Sequence, residues 1–135
     1  MKTSNVLYEG DIRTVCTHLR SGQVIQTDGP IDNFGKGEAF SPTDLVATAL
    51  GACMLSIMGI AAKTHDINID GAKAEVLKVM AENPRRIARI EIDIYMPEIQ
   101  YSDKQKALLT HAAKSCPVGR SLSQNLEAAL TIHWT

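Results

Sequence analysis

The sequence predicts an α+β domain in which a long apolar helix packs against a sheet. Three observations support this fold class: an uncharged apolar run from Leu45 to Ala62, two alternating segments on either side of Pro84, and an amphipathic segment further along the chain. The resulting order of strands, long helix, strands, helices and strand is typical of α+β domains. The 135 residues predict a single domain over residues 1–135.

The strongest helix signal begins at Ser41. Ser41 suits an N-cap, Pro42 suits the first helical position, and Asp44 supplies a carboxylate in a capping-box pattern. We expect this helix to reach about Lys63. A helix that is apolar all round is expected to be buried on all sides. The run reaches the lower limit for a membrane span, but polar and small residues interrupt it and no aromatic anchors flank it, so we expect no membrane contact.

The other predicted elements are shorter. Period-two alternation and β-branched residues indicate strands, and Gly, Pro and Asn clusters indicate turns. The expected elements are a hairpin over Val6 to Ile25 with a turn at Arg20, Ser21 and Gly22; a loop over Thr27 to Phe40; strands over Ala72 to Ala81 and Ile87 to Met96, joined by a turn at Glu82 to Arg85; helices from Ser102 to Cys116 and from Pro117 to about Leu126; and a last strand over Leu130 to Trp134.

Charge and composition exclude several classes of function. Fourteen Lys and Arg against fifteen Asp and Glu give a net charge of −1, so no overall field favours nucleic acid or an anionic membrane. The four histidines lack metal-ligand spacing, and the Thr27 to Phe40 loop has no phosphate-binding motif, so neither a metal nor a cofactor is expected. Met1 to Asn5 lack an apolar signal core, which favours a cytoplasmic protein.

The three cysteines carry the functional signal. Cys53 lies in the apolar helix, where the simplest interpretation is a small buried hydrophobe and where reactivity would require a nearby cation, most naturally an arginine. Cys116 directly precedes Pro117, near a helix N-cap that favours the thiolate. The residues alone therefore favour Cys116 as the more acidic thiol and leave the order of the pair open. Cys16 is expected to be a packing residue or an incidental thiol.

Three segments together resemble the OsmC/Ohr family, the osmotically inducible and organic hydroperoxide resistance proteins, which are thiol-dependent peroxidases. They are Gly37 to Leu45 (GEAFSPTDL), Ala49 to Cys53 (ALGAC) and Ser115 to Pro117 (SCP). Their order and spacing fit the family, and the match extends over almost the whole chain. The resemblance implies antiparallel sheets on a long central helix, and two chains intertwined as a homodimer with a site at each interface. Independently, a 22-residue helix of about 33 Å is too long for a compact monomer of this size to cover on every face.

The resemblance also implies a chemistry. Cys53 would be the peroxidatic thiolate that attacks the O–O bond of an organic hydroperoxide or related oxidant, and Cys116 the resolving thiol. The resulting disulfide would be reduced by an external dithiol, which in the family can be carried by a lipoylated protein. An arginine of the N-terminal hairpin stabilises the thiolate in the family; Arg20 is the best positional match, and Arg13 is the second.

The chain departs from the family pattern after the helix-starting proline. Hydroperoxide-reducing members carry glutamate there, whereas this chain has Thr43 followed by Asp44, and a shift of one residue turns a side chain about 100° around a helix. Asp44 would then only cap the helix, while Glu38 is expected to shape the mouth of the thiol pocket. The alternative function is therefore a small-molecule-binding or redox-sensing OsmC-like module without efficient turnover; a third interpretation keeps both thiols buried and inert.

Overall fold

The computed structural model describes residues 1–135 and confirms the α+β class, with two three-stranded sheets. The chain forms two compact units, Met1–Val46 and Ala47–Thr135, and the prediction of a single domain stays a prediction. In chain order the elements are β1 (Ser4–Gly10), β2 (Arg13–His18), β3 (Val24–Asp28), a 3-10 helix (Ile31–Asn33), α1 (Pro42–Thr64), β4 (Lys73–Ala81), β5 (Arg86–Tyr95), α2 (Asp103–Lys114), α3 (Pro117–Ser121) and β6 (Glu127–His133).

The first unit is built on an antiparallel sheet in the order β1, β2, β3. The turn predicted at Arg20 to Gly22 joins β2 to β3, as expected. The prediction of one hairpin over Val6 to Ile25 is wrong, because the chain also turns at Asp11 and Ile12, where φ is 54° and 60°. Turns with two positive φ values are usually marked by Asn-Gly or Asp-Gly. The β-branched Ile12 hides this turn within a strand-like sequence.

The loop after β3 returns to the start of α1. The backbone N–H of Asp28 donates to the carbonyl of Phe40 at 3.0 Å, which closes the loop at its base. Inside it, a side chain on Gly35 would place its Cβ 1.7 Å from the carbonyl oxygen of Gly29. Only a glycine at this position permits the close approach of the two backbone segments.

The predicted start of α1 is confirmed. The Asp44 N–H donates to Ser41 Oγ at 3.0 Å, and the Ser41 N–H donates to Asp44 Oδ2 at 3.0 Å, so the two residues form a reciprocal capping box. The helix ends at Thr64, one residue beyond the predicted end.

One face of α1 forms the core of the second unit. Leu50, Met54 and Met58 are buried along this face and belong to the same apolar cluster as Ile90 and Ile92 of β5. The expectation that α1 is buried on all sides is wrong for the single chain, because the opposite face is exposed. By length and composition alone α1 would suffice to cross a membrane, a test that soluble core helices also pass, and 33% of its most apolar window is buried within the chain.

The second sheet has the order β4, β5, β6. The hairpin of β4 and β5 is antiparallel, as predicted, with its turn at residues 82–85. The β6 strand pairs parallel with β5, which corrects the expectation of purely antiparallel sheets. The cause is the connection between them: α2 and α3 carry the chain back across the sheet, so β6 starts from the same end as β5.

The helices of this crossover differ in how well the sequence predicts them. The predicted N-cap of α2 is confirmed, since Ser102 and Gln105 form a capping box. By contrast, α3 ends at Ser121 and not near Leu126, because Leu122 takes an extended conformation with ψ of 158°. The last strand accordingly begins at Glu127, three residues before the predicted Leu130.

Candidate active site

Two cysteines come together in the second unit. Cys53 lies on α1 and is half-buried, whereas Cys116 is the N-cap of α3 and is only 1% exposed. Burial is the main cause that raises the pKa of the Cys116 thiol, and the hydrogen bond and charge of Cys53 add to the rise, so the two thiols lie close to each other. The helices α1 and α3 thus bring together two cysteines that are distant in the sequence. The arrangement provides the two sulfur atoms that a dithiol–disulfide cycle needs.

The electrostatics of Cys116 differ from the expectation. The predicted N-cap position is confirmed, since the Gly119 N–H donates to Cys116 Sγ at 3.3 Å. Burial nevertheless raises the pKa of the Cys116 thiol, and this effect outweighs the backbone hydrogen bond. The prediction that Cys116 is an acidified thiol is therefore wrong, because the helix signal is local whereas burial depends on the whole unit.

A pocket of about 460 Å³ lies beside Cys116. We call it the Cys116 pocket; Leu50, Met54 and Ala113 form its buried apolar part together with Cys116 itself, and the exposed side chains of Lys114 and Arg120 also line it. The sequence analysis missed these two cations. Their positions, two residues before and four residues after Cys116, are the signal that could have identified them.

The first unit contains a second polar cluster, centred on Asp28. The Asp28 side chain is fully buried, and its carboxylate accepts hydrogen bonds from Arg13 Nε at 2.7 Å and Arg13 Nη2 at 2.8 Å. The Glu38 N–H donates to Asp28 Oδ2 at 3.1 Å, and the Glu38 carboxylate accepts from Arg13 Nη2 at 3.0 Å. The Arg13 hydrogen bonds are the main cause that holds the pKa of Asp28 below its usual value.

Other predicted residues of this unit lie elsewhere. Arg20 is exposed in the turn between β2 and β3 and is not part of the Asp28 cluster. Thr43 and Asp44 serve the start of α1: Asp44 completes the capping box, and Thr43 Oγ1 lies 3.2 Å from Ser41 Oγ. The sequence analysis missed Asp28, which it treated as a loop residue before Gly29 and Pro30.

The remaining candidates do not form a further site. Cys16 lies half-buried on β2, with its Sγ 3.8 Å from Thr14 Oγ1. No three side chains of His, Cys, Asp or Glu come together in a group that could hold a metal ion. The two thiols and the Asp28 cluster are therefore the candidate sites.

Comparisons with known proteins agree with this architecture. The family model described as OsmC-like protein matches residues 35–131. A solved protein of Psychrobacter arcticus, with a proposed role in osmotic stress and detoxification response, is 47% identical over 98% of this chain and 96% of its own, with a TM-score of 0.94. A comparison with curated proteins finds no match.

Two further solved structures share the fold at lower identity. An organic hydroperoxide resistance protein OsmC of Legionella pneumophila is 16% identical, covers 98% of this chain and 97% of its own, and has a TM-score of 0.75. The organic hydroperoxide resistance protein OhrB of Bacillus subtilis is 18% identical, with 98% coverage of both chains and a TM-score of 0.69.

The Asp28 cluster predicts a defined pH dependence of stability. The pKa of Asp28 is lower in the folded chain than in the unfolded chain. Asp28 therefore contributes fully to the free energy of unfolding above about pH 4, the ordinary range of an Asp carboxyl, and this contribution is lost as the pH falls through the pKa of the folded state. We expect Asp28→Asn to lower the urea midpoint at pH 7, and the difference from the parent to shrink towards pH 2. Asp11→Asn is the matched control, since Asp11 is exposed and lies 4.0 Å from Lys36; an equal loss in both variants would contradict this role.

Proposed function

The chain belongs to the OsmC-like protein family, and we propose that it is a cysteine-based peroxidase that reduces organic hydroperoxides through Cys53 and Cys116. The observation that carries this proposal is the proximity of the two thiols in the second unit, where Cys53 lies close enough to Cys116 to contribute to its raised pKa. The names of the Legionella and Bacillus relatives, which refer to organic hydroperoxide resistance, support the same substrate class. The proposed location is the cytoplasm, where thiols rest in the reduced state.

The environments of the two sulfur atoms support their division of roles. Cys53 is half-buried and accessible in part to a small oxidant, so it is the proposed nucleophile. Cys116 is buried and its pKa is raised, so it rests as a protonated thiol, which reacts poorly with peroxide. Its proximity to Cys53 suits it for the second step, in which it gives up its proton and its sulfur attacks the oxidised sulfur of Cys53.

The proposed cycle has three steps. The Cys53 thiolate attacks the O–O bond and becomes a sulfenic acid, while the other oxygen leaves as an alkoxide that takes a proton from solvent to form the alcohol. The Cys116 thiol condenses with this sulfenic acid, which forms a disulfide and releases water. An external dithiol then returns both cysteines to the reduced state by thiol–disulfide exchange. A lipoylated protein is one candidate carrier of that dithiol, as the family resemblance implies.

We propose that Arg13, and not Arg20, is the arginine that assists the thiolate. Two carboxylates fix the Arg13 guanidinium through Nε and Nη2, while Nη1 binds neither of them and is left for a further acceptor. In this chain Glu38 and Asp28 would pair with the arginine in place of the family glutamate, because Thr43 has no carboxylate. Arg20 sits in an exposed turn, where its long side chain has no such fixed orientation.

A homodimer is the proposed assembly. The outer face of α1 carries Ile60, which is 62% exposed, and β1 carries Val6, Leu7 and Tyr8, each more than 60% exposed. Exposed apolar surface on each unit of a small protein favours an interaction site. A second copy would cover both surfaces without any further partner.

One observation favours the alternative of a redox-sensing module. Asp44 is engaged in the helix cap, so the carboxylate next to position 43 already has a structural role. Such a module would be oxidised once per chain and would not recycle with dithiol. Multiple turnovers of hydroperoxide in the presence of a dithiol exclude it.

The cysteine assignment predicts three distinct variants. Cys53→Ser should reduce consumption of cumene hydroperoxide to the uncatalysed background, because the nucleophile is lost. Cys116→Ser should consume one equivalent and then stall or overoxidise, because the sulfenic acid has no partner. Cys16→Ser is the matched control and should keep the parent rate. A Cys53→Ser protein that turns over at the parent rate would overturn the proposal, and equal turnover without Cys116 would remove its resolving role.

The arginine assignment predicts a difference between two variants of equal charge. Arg13→Gln should slow the first oxidation of Cys53 by about a hundredfold or more, the usual scale for removing one donor that stabilises developing charge. Arg20→Gln should stay within about twofold of the parent. Stopped-flow oxidation with one equivalent of hydroperoxide measures both rates, and circular dichroism verifies that each variant is folded. The reverse order of effects would assign the role to Arg20.

The dimer predicts the mass of the protein in solution. Sedimentation at micromolar concentration should give twice the 14.7 kDa of one chain. Ile60→Glu should shift the equilibrium towards the monomer, because a charge would be buried at the interface. Ile31→Glu, at a loop position that is 78% exposed, is the control. A monomeric parent protein would contradict the assembly.

A further inference from the structure

The second unit holds a further pocket, of about 560 Å³, beside α2. We call it the α2 pocket, and its lining comes from α2 and from the segment just after α1. The lining includes His65, Ile67, Lys104, Ala107, Leu108 and His111. Neither Cys53 nor Cys116 lines it. Its volume lies in the range of sites that hold small molecules, and the proposed peroxidase cycle makes no use of it.

The apolar floor that α2 gives to this pocket is not part of the core. Leu109, Ala112 and Ala113 are the α2 residues that are buried in the core. Leu108 is half-buried, yet it belongs neither to the core cluster nor to the apolar side chains packed against that cluster, and Ala107 is exposed. Positions 104, 107, 108 and 111 follow helical spacing and share a second face of α2. This face therefore carries apolar surface that the packing of the unit does not require.

The rim of the α2 pocket is basic. Lys104 is exposed and forms no ion pair with a carboxylate of the chain. His65 Nδ1 lies 3.0 Å from the carbonyl oxygen of Ala61, which can only accept, so Nδ1 carries the hydrogen and Nε2 is left for another partner. His111 also lines the pocket, and no Asp or Glu does. One cation and two imidazoles beside an apolar floor favour a ligand with an apolar body and an anionic end.

The basic groups suit a carboxylate better than a phosphate. Phosphate sites are typically built from arginines or from free N–H groups at the start of a helix. No arginine lines the α2 pocket. At the start of α2, the capping box of Ser102 and Gln105 is complete, and Asp103 adds a negative charge to the first turn. A single lysine with two imidazoles therefore matches a group that carries one negative charge.

We propose that the α2 pocket is a binding site for a small amphipathic carboxylate of the medium-chain fatty acid class. The apolar chain of the ligand lies on Ile67, Ala107 and Leu108. Its carboxylate binds the ammonium group of Lys104 and the free Nε2 of His65. The site is separate from the two cysteines, so this inference goes beyond the proposed peroxidase function.

Octanoate is the probe for this site. Calorimetric titration of the reduced protein should give one site per chain with a Kd of about 1 mM or below, which is the scale for a ligand of this size. In ¹H–¹⁵N correlation spectra, the largest changes should fall on the amides of residues 65–67 and 104–111. No saturable binding up to about 10 mM would overturn the proposal. Changes confined to the surroundings of Cys53 and Cys116 would also overturn it.

Related probes separate the two halves of the ligand. Octan-1-ol keeps the apolar chain without the charge, and butyrate keeps the charge with a shorter chain. Each should bind at least about threefold more weakly than octanoate. High salt should weaken the binding of octanoate and leave that of octan-1-ol unchanged. Equal affinities for octanoate and octan-1-ol would overturn the role of the basic rim, and tighter binding of octyl phosphate would overturn the choice of a carboxylate.

Variants locate the site on α2. Lys104→Gln should weaken octanoate by about threefold to fivefold, the scale of a partly exposed ion pair, and leave octan-1-ol unchanged. Ala107→Trp should abolish the binding of both, because Ala107 is exposed and a large side chain there fills the pocket without entering the core. Lys114→Gln is the matched control, since Lys114 is exposed on the same helix but lines the Cys116 pocket. Circular dichroism verifies that each variant is folded, and equal losses in Lys104→Gln and Lys114→Gln would overturn the location.

A second copy of the chain is the competing occupant of this surface. If copies of the chain met there, Leu108→Glu would shift the protein towards the monomer in sedimentation, because a charge would be buried at the contact. That shift, together with an absence of octanoate binding to the parent protein, would assign the surface to self-association and overturn the proposal.

The binding test is independent of the peroxidase cycle. Cys53→Ser should bind octanoate as tightly as the parent protein, because neither cysteine lines the α2 pocket. A protein that binds octanoate but does not consume hydroperoxide would contradict the proposed function alone. A protein that consumes hydroperoxide but does not bind octanoate would contradict the α2 site alone.

Discussion

The burial of α1 along a single face is the constraint on which the second unit depends. Each large apolar side chain fully removed from water contributes about 1.5–3 kcal/mol, so Leu50, Met54 and Met58 together fix the rotation of the helix against β5. Successive helical residues are about 100° apart. Cys53, three positions after Leu50, therefore lies at the border of the buried face, where a sulfur can meet both the core and a small solute. The packing that stabilises the unit also orients its thiol.

Local chemistry explains which elements the sequence predicts well. The start of α1 is marked by the capping box of Ser41 and Asp44, and a capping box within one turn can be recognised without information from distant parts of the chain. The turn at Asp11 and Ile12 is equally local but has unusual residues, so the general preference for glycine at positive φ misses it. The parallel pairing of β6 depends on the path of the whole crossover, which no short pattern encodes.

The site could be predicted less completely than the fold, for the same reason. The family resemblance offers Cys53 and Cys116 as candidates, but burial, a property of the packed unit, raises the pKa of Cys116 against the acidity expected from its helix N-cap. Asp28 resembled an ordinary loop residue until the structure revealed its buried bidentate pair with Arg13. Electrostatic properties depend on surroundings assembled from distant segments, so composition and spacing provide candidates but not their protonation states.

The parallel pairing of β6 with β5 has a consequence for folding. The β4 and β5 hairpin forms from neighbouring residues. The β6 strand pairs with β5 across a crossover of residues 96–126, and closing this long segment costs conformational entropy. We therefore expect β6 to join the sheet after the hairpin has formed. Until then one side of β5 presents unpaired N–H and C=O groups beside its apolar face. Such an edge can recruit a strand of another molecule. Aggregation of incompletely folded chains is therefore expected to begin at β5, which is fully protected only in the native state.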